Sequence, residues 1–201
     1  MWDNMKTVEQ LISDKVQEKP EGTLFFPEDF AQLGSSDSVR KALQRLDHKG
    51  VIKRVAQGIY ILPKTSSYIG LVIPTAEEVA EAIARRDHAR TIPTGATALN
   101  ALGLSTQVPM NAVFLTDGSP REIRIGKRKI KFKKTTPRNL AAKGEISRLV
   151  IQALKTLGNG KVSEGDEQKI IERLRNEKHG DLVHDIGLAP AWIQQIMKKA
   201  L

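Results

Sequence analysis

Between Ser35 and Gln57 the sequence carries long hydrogen-bond donors at spacings that suit a groove rather than a reaction. Over Ser36 to Lys49, Val39, Ala42, Leu43 and Leu46 recur at helical spacing and mark one apolar side. Arg40, Lys41, Gln44, Arg45 and His48 project from the other faces. A helix that enters the major groove of duplex DNA needs this division, because the apolar side anchors it while long donors reach phosphates and base edges. Arginine can bond guanine, and glutamine adenine, through two hydrogen bonds at once. Ser35, Ser36 and Ser38 stand at the start of this helix, and Ser36 or Ser38 is the expected cap. There, hydroxyls and free backbone N–H groups suit a phosphate. Lys53, Arg54 and Gln57 follow, placed to grip the flanking backbone or the minor groove. Asp37 and Asp47 sit among these cations, so the module is not strongly basic by itself.

A second charged segment is more one-sided. From Arg124 to Arg138 there are eight basic residues and no acidic one. On an extended strand Lys127, Lys129, Lys131 and Lys133 share one face, while Arg128, Ile130, Phe132 and Lys134 share the other. The chemistry this suits is contact with phosphates, and an acidic partner protein is the competing reading. A third reading is an edge strand guarded by lysine against aggregation. Charge along the chain agrees with this concentration. Residues 1–65 carry 10 basic and 9 acidic side chains, residues 66–142 carry 12 and 6, and residues 143–201 carry 10 and 8. The overall net charge of +9 favours polyanionic partners through counterion release.

The elements that position these residues follow from periodicity and punctuation. Thr7 to Lys19 reads as a helix capped by Thr7 and ended by Pro20-Glu21-Gly22. A short apolar run, Leu24-Phe25-Phe26, precedes a short helix over Pro27 to Leu33. Gly50 stops the helix that begins near Ser36. Val51 to Val55 and Ile59 to Pro63, joined by Ala56-Gln57-Gly58, read as a hairpin. Three helices followed at once by a hairpin is the order of a winged helix-turn-helix. Tyr68 to Pro74 reads as a linker or short strand. Thr75 to Arg86 and Thr94 to Leu102 read as helices, the second capped by Thr94 and stopped by Gly103. Asn111 to Leu115 reads as a strand, and Arg121 to Ile125 with Arg128 to Lys133 as a hairpin. The remainder reads as helices near 145–157, 164–176, 179–186 and 190–200. The expected fold class is α+β: a winged helix-turn-helix over 1–66, a mixed α/β domain with the basic hairpin over 67–142, and a helical region over 143–201.

The segment Pro93-Thr94-Gly95-Ala96-Thr97-Ala98-Leu99-Asn100-Ala101-Leu102-Gly103-Leu104 resembles the small-residue, Ala-Leu, Leu-Gly-Leu pattern of the AbiEi-like antitoxins of type IV abortive-infection toxin–antitoxin systems. Arg54-Val55-Ala56-Gln57-Gly58-Ile59-Tyr60 resembles the wing of the same family, and Asn111 to Thr116 its following strand. The resemblance covers roughly residues 7–140. It implies a bacterial protein whose winged helix represses its own operon. It also implies a second domain that counters a nucleotidyltransferase-like toxin encoded beside it. Duplex DNA, occupied at inverted repeats by a dimer, and that toxin are the implied partners.

Other chemistry has little support. The chain has no cysteine, which excludes disulfides and thiolate metal sites and fits a cytoplasmic address. No apolar run approaches the ~20 residues of a membrane span. The first residues lack an apolar signal core, and Met5 is a second candidate start. Of the four histidines, His184 and Asp181 have helical ligand spacing but no third ligand, and Asp87-His88 has no nucleophile partner. No Gly-rich phosphate loop is present, Gly158-Asn159-Gly160-Lys161 reading as a turn. No catalytic residue, metal or cofactor is therefore expected. Two alternatives stay open: a winged-helix regulator without a toxin, and an enzyme on nucleic acid that uses the winged helix for targeting.

Overall fold

The computed structural model describes residues 6–68 and 70–201; the two candidate starts, Met1 and Met5, lie outside them. The fold is α+β. The chain divides into two compact units, Met1–Thr75 and Ala76–Leu201.

In the first unit, α1 (Val8–Gln17) is capped by Thr7, whose hydroxyl accepts the Gln10 N–H while the Gln10 side chain accepts the Thr7 N–H. Strand β1 (Leu24–Phe25) leads into a 3-10 helix, Pro27–Leu33. Helix α2 (Ser36–His48) follows, then β2 (Lys53–Ala56) and β3 (Ile59–Ile61). The cap of α2 is Ser35, not Ser36 or Ser38: its hydroxyl accepts the Ser38 N–H at 3.2 Å. Gly50 ends α2 with a positive φ of 74° that a side chain would disfavour. The Val51 N–H then returns to the Leu46 carbonyl at 3.0 Å, which turns the chain towards β2. Strand β3 lies between β1 and β2 and is buried along its length. The core gathers Ile12 and Val16 of α1, Val39, Ala42, Leu43 and Leu46 of α2, and Phe25, Phe30, Ile52 and Tyr60. A two-stranded ribbon pairs β4 (Thr65–Ser66) with β5 (Gly70–Leu71); β5 falls within the segment expected as a linker or short strand, and β4 precedes it.

The second unit opens with α3 (Ala76–Arg86) and the edge strand β6 (Thr91–Thr94), followed by α4 (Ala96–Ala101). Thr94 is thus the end of a strand rather than a helix cap, and α4 begins instead from Gly95 at φ 63°. The strand went unread because Pro93 marks a break in sequence. Proline is tolerated here since β6 pairs on one side only, with β7 (Asn111–Thr116). Strands β8 (Arg121–Ile125) and β9 (Arg128–Lys134) complete a sheet of order β6-β7-β9-β8, with β7 and β9 parallel. Phe114 and Phe132 stack at 5.9 Å on the face that also buries Ala112 and Ile130.

Helices α5 (Glu145–Leu157), α6 (Glu164–Leu174), α7 (His179–Ile186) and α8 (Ala191–Lys198) share one core with Ala98 and Leu102 of α4. The C-terminal helices are therefore part of the same unit as the sheet, not the separate region expected from 143 onward. Two distant carboxylates hold the start of α5. The fully buried Asp185 accepts the Lys143 and Gly144 N–H groups at 2.9 and 2.8 Å, and Glu177 accepts those of Ile146 and Ser147 at 2.7 and 3.1 Å. These satisfy donors that a helix N-terminus leaves free, and the negative charge suits the helix dipole. A side chain at Gly144 would collide with the Glu177 carboxylate. Asp185→Ala should destabilise this unit by about 2–4 kcal/mol, since it strands two backbone donors. Chemical denaturation followed by helix content checks this, and a loss below roughly 1 kcal/mol contradicts the capping role.

Candidate nucleic-acid interface

A groove of about 620 Å³ opens between α2 and the β2–β3 hairpin. Ser36, Arg40, Gln44 and His48 line it from one face of α2, at one-turn spacing. Arg54 and Gln57 line it from the hairpin, and Tyr60 supplies part of its floor. The hairpin is held to the helix by Asp47, whose carboxylate accepts the Arg54 N–H at 2.9 Å. Asp47, read from sequence as a charge that dilutes the basic face, is thus a fastener. Its role depends on a contact across seven residues of folded chain, which no local pattern reveals. The groove places guanidinium, amide and imidazole donors together, with Gln57 at the two-residue hairpin tip.

The expected donors divide between two sides of α2. Arg40 and Gln44 face the groove, and the Arg40 Nε donates to the Ser36 carbonyl at 3.2 Å. Arg45 faces α1 instead, where its Nε donates to Glu9 at 2.6 Å beside Lys49 at 2.5 Å. It therefore lies outside the groove, held by a carboxylate that it shares with Lys49. Lys41 is exposed beside Asp37, 3.5 Å away, and does not line the groove. Ser35 spends its hydroxyl on the cap and on Ser38, with the two oxygens 2.9 Å apart. Lys53 is exposed on β2 and does not line the groove.

In the second unit, β9 is paired on both sides, so the guarded-edge reading of its lysines is overturned. Lys131 and Lys133 are exposed on one face, as alternation requires. Lys129 is half-buried and bound to Glu122 at 2.9 Å. Lys127 lies in the turn before β9 rather than on the strand. The open cationic face is thus Lys131 and Lys133, with Arg124 exposed on β8 opposite Lys129.

Asp87, weighed as a partner for His88, accepts instead from Arg86 at 2.8 Å and from Arg121. His184 Nδ1 lies 2.8 Å from the capping carboxylate of Asp185. Among the described residues no group of three or more histidine, aspartate and glutamate side chains is placed to hold a metal. Among them, too, no helix is long and apolar enough to cross a membrane.

A family profile with the description "Family of unknown function (DUF6088)" matches residues 11–182. The chain belongs to this family. Among solved structures it is similar to the crystal structure of the RV2827C protein from Mycobacterium tuberculosis, at 13% identity and a TM-score of 0.46. That match covers 95% of this chain and 80% of the other. No curated protein matches the sequence.

The Glu9 cluster predicts a pH dependence. Hydrogen bonds from Lys49 and Arg45 hold the Glu9 carboxyl below its ordinary value of 4.5. A carboxylate whose folded pKa is depressed stabilises the fold above its unfolded pKa and loses that contribution as pH falls through the folded value. Glu9→Gln should therefore lower the Tm of the first unit at pH 7, and the gap should close below pH 4.5. Thermal unfolding of both proteins from pH 7 downward tests this, and a gap independent of pH contradicts it.

Proposed function

We propose that this chain is a sequence-specific duplex-DNA-binding protein whose first unit works as a winged helix-turn-helix. The observation that carries the reading is the groove between α2 and the hairpin, with Arg40, Gln44 and His48 on one wall and Arg54 and Gln57 on the other. Helix α2 would lie in the major groove, with Arg40 and Gln44 reading base edges. The Gln57 tip and Arg54 would follow the flanking backbone, and Ser36 would meet a phosphate at the helix N-terminus. Arg45 is left out of the reading set because Glu9 holds it, and Lys41 and Lys53, both exposed and outside the groove, would make backbone contacts.

In the second unit, Lys131 and Lys133 supply sequence-independent attraction for phosphates. The biological role that fits is autorepression of the operon that encodes the chain. The antitoxin role, against a nucleotidyltransferase-like toxin, rests on the sequence resemblance. Co-expression with any such enzyme encoded beside this gene tests it: rescue of growth supports the role, and unrelieved toxicity removes it.

Binding to the DNA upstream of the chain's own gene, at two salt concentrations and against a scrambled duplex, is the experiment for the main reading. Arg40→Ala and Gln44→Ala should each cost about 1–3 kcal/mol on the specific duplex and little on the scrambled one. Arg45→Ala should act mainly on the stability of the first unit. Equal affinity for both duplexes, or unchanged affinity in both α2 variants, contradicts the assignment. Replacing Lys131 and Lys133 by glutamine should weaken binding to all sequences and flatten the salt dependence by about two units. An unchanged slope would mean that this face meets something other than DNA.

A further inference from the structure

A small crevice in the second unit brings cations together without an anion. It lies between the 3-10 turn Pro137–Leu140 and the exposed side of α5, and it is lined by Arg138, Asn139, Arg148 and Lys155. No carboxylate lines it. Among the described residues neither Arg138 nor Lys155 is in an ion pair, and Arg148 reaches only the exposed Glu145, at 3.5 Å. The Arg148 Nε is buried and makes no hydrogen bond. That nitrogen is closed to solvent, so a ligand would meet the open end of the guanidinium, whose side chain is 36% exposed. Lys155 donates only a long hydrogen bond, 3.4 Å, to the Asn139 side-chain Oδ1. Although Lys155 is largely open to solvent, partial withdrawal of its ammonium from water, and then the charge of Arg138, lower its pKa below the usual lysine value. Like charges converging in this way are stabilised by an oxyanion seated between them.

We propose that Arg138, Arg148 and Lys155 form a binding site for a phosphate group. The enclosed space is about 10 Å³, room for one oxygen rather than a whole ligand. The phosphate therefore docks one oxygen into the crevice and keeps the rest of the group outside, within reach of the exposed ends of Arg138, Arg148 and Lys155. This geometry suits a terminal or chain-linked phosphate equally, so the source is either free phosphate or the backbone of a nucleic acid. The arginines supply planar donor pairs that match phosphate oxygens, and Lys155 supplies a point charge. The site stands independently of the DNA-reading groove, because none of its residues belongs to the first unit.

The test uses the full chain and the exposed substitutions Lys155→Gln and Arg138→Gln, whose folding is checked by cooperative unfolding. Thermal unfolding is compared in inorganic phosphate and in chloride at matched ionic strength. Free phosphate at roughly ten times its Kd should raise the Tm of the wild-type second unit by about 4–6 °C. The variants should lose most of that rise, while in chloride they should be no less stable than wild type, since a repulsion has been relieved. A second arm measures the salt dependence of binding to duplex DNA. A slope lower by about one unit in Lys155→Gln assigns the phosphate to the nucleic-acid backbone. An unchanged slope with a lost phosphate response assigns the site to a free anion. Variants that match wild type in both arms overturn the proposal. The phosphate arm involves no DNA, so failure of the DNA-binding reading leaves it intact.

Discussion

The DNA-binding reading of this chain depends on how α2 is seated. Val39, Ala42, Leu43 and Leu46 are buried against Ile12, Val16, Ile52 and Tyr60. Burying a side chain of leucine or valine size stabilises by about 1.5–3 kcal/mol. Three such side chains, with Ala42 packed between them, fix the rotation of the helix about its axis. That rotation decides which polar residues face the hairpin. Were the helix turned by one residue, Lys41 and Arg45 would take the places of Arg40 and Gln44.

Electrostatics then refines what packing begins. Glu9 draws Arg45 and Lys49 to the α1 side, which leaves Arg40, Gln44 and His48 as the donors of the opposite flank. Asp47 ties the hairpin to the end of α2 through a backbone N–H rather than a side chain, so Arg54 keeps its guanidinium for the groove. Asp47, which dilutes the basic face in sequence, thus helps to organise it, and Glu9 does the same from α1. The second unit uses the same device at larger scale, where Asp185 and Glu177 hold the start of α5 against helices far along the chain.

The elements of the first unit were legible because each is announced locally. Thr7 and Gln10 form a capping box, Gly50 stops α2, and the Gln57-Gly58 pair turns the hairpin. The side from which Arg45 would act was not legible, since its partner Glu9 lies 36 positions earlier. In the second unit, alternation exposed Lys131 and Lys133, but the interior place of β9 depends on parallel pairing with β7, which no hairpin signal reports. Pro93 concealed β6, because the same residue that breaks a central strand is harmless at an edge. The unity of the sheet with the C-terminal helices was likewise hidden. It comes from α5 packing on β6 and on α4, long-range contacts with no signature in periodicity.

The most direct test of the account is an amide-by-amide NMR titration of the full chain with the duplex upstream of its gene. The account predicts saturable shifts along Ser36 to His48 and at the Arg54 to Gly58 hairpin, with α1 moving little. Saturable binding that leaves both segments unperturbed would contradict it.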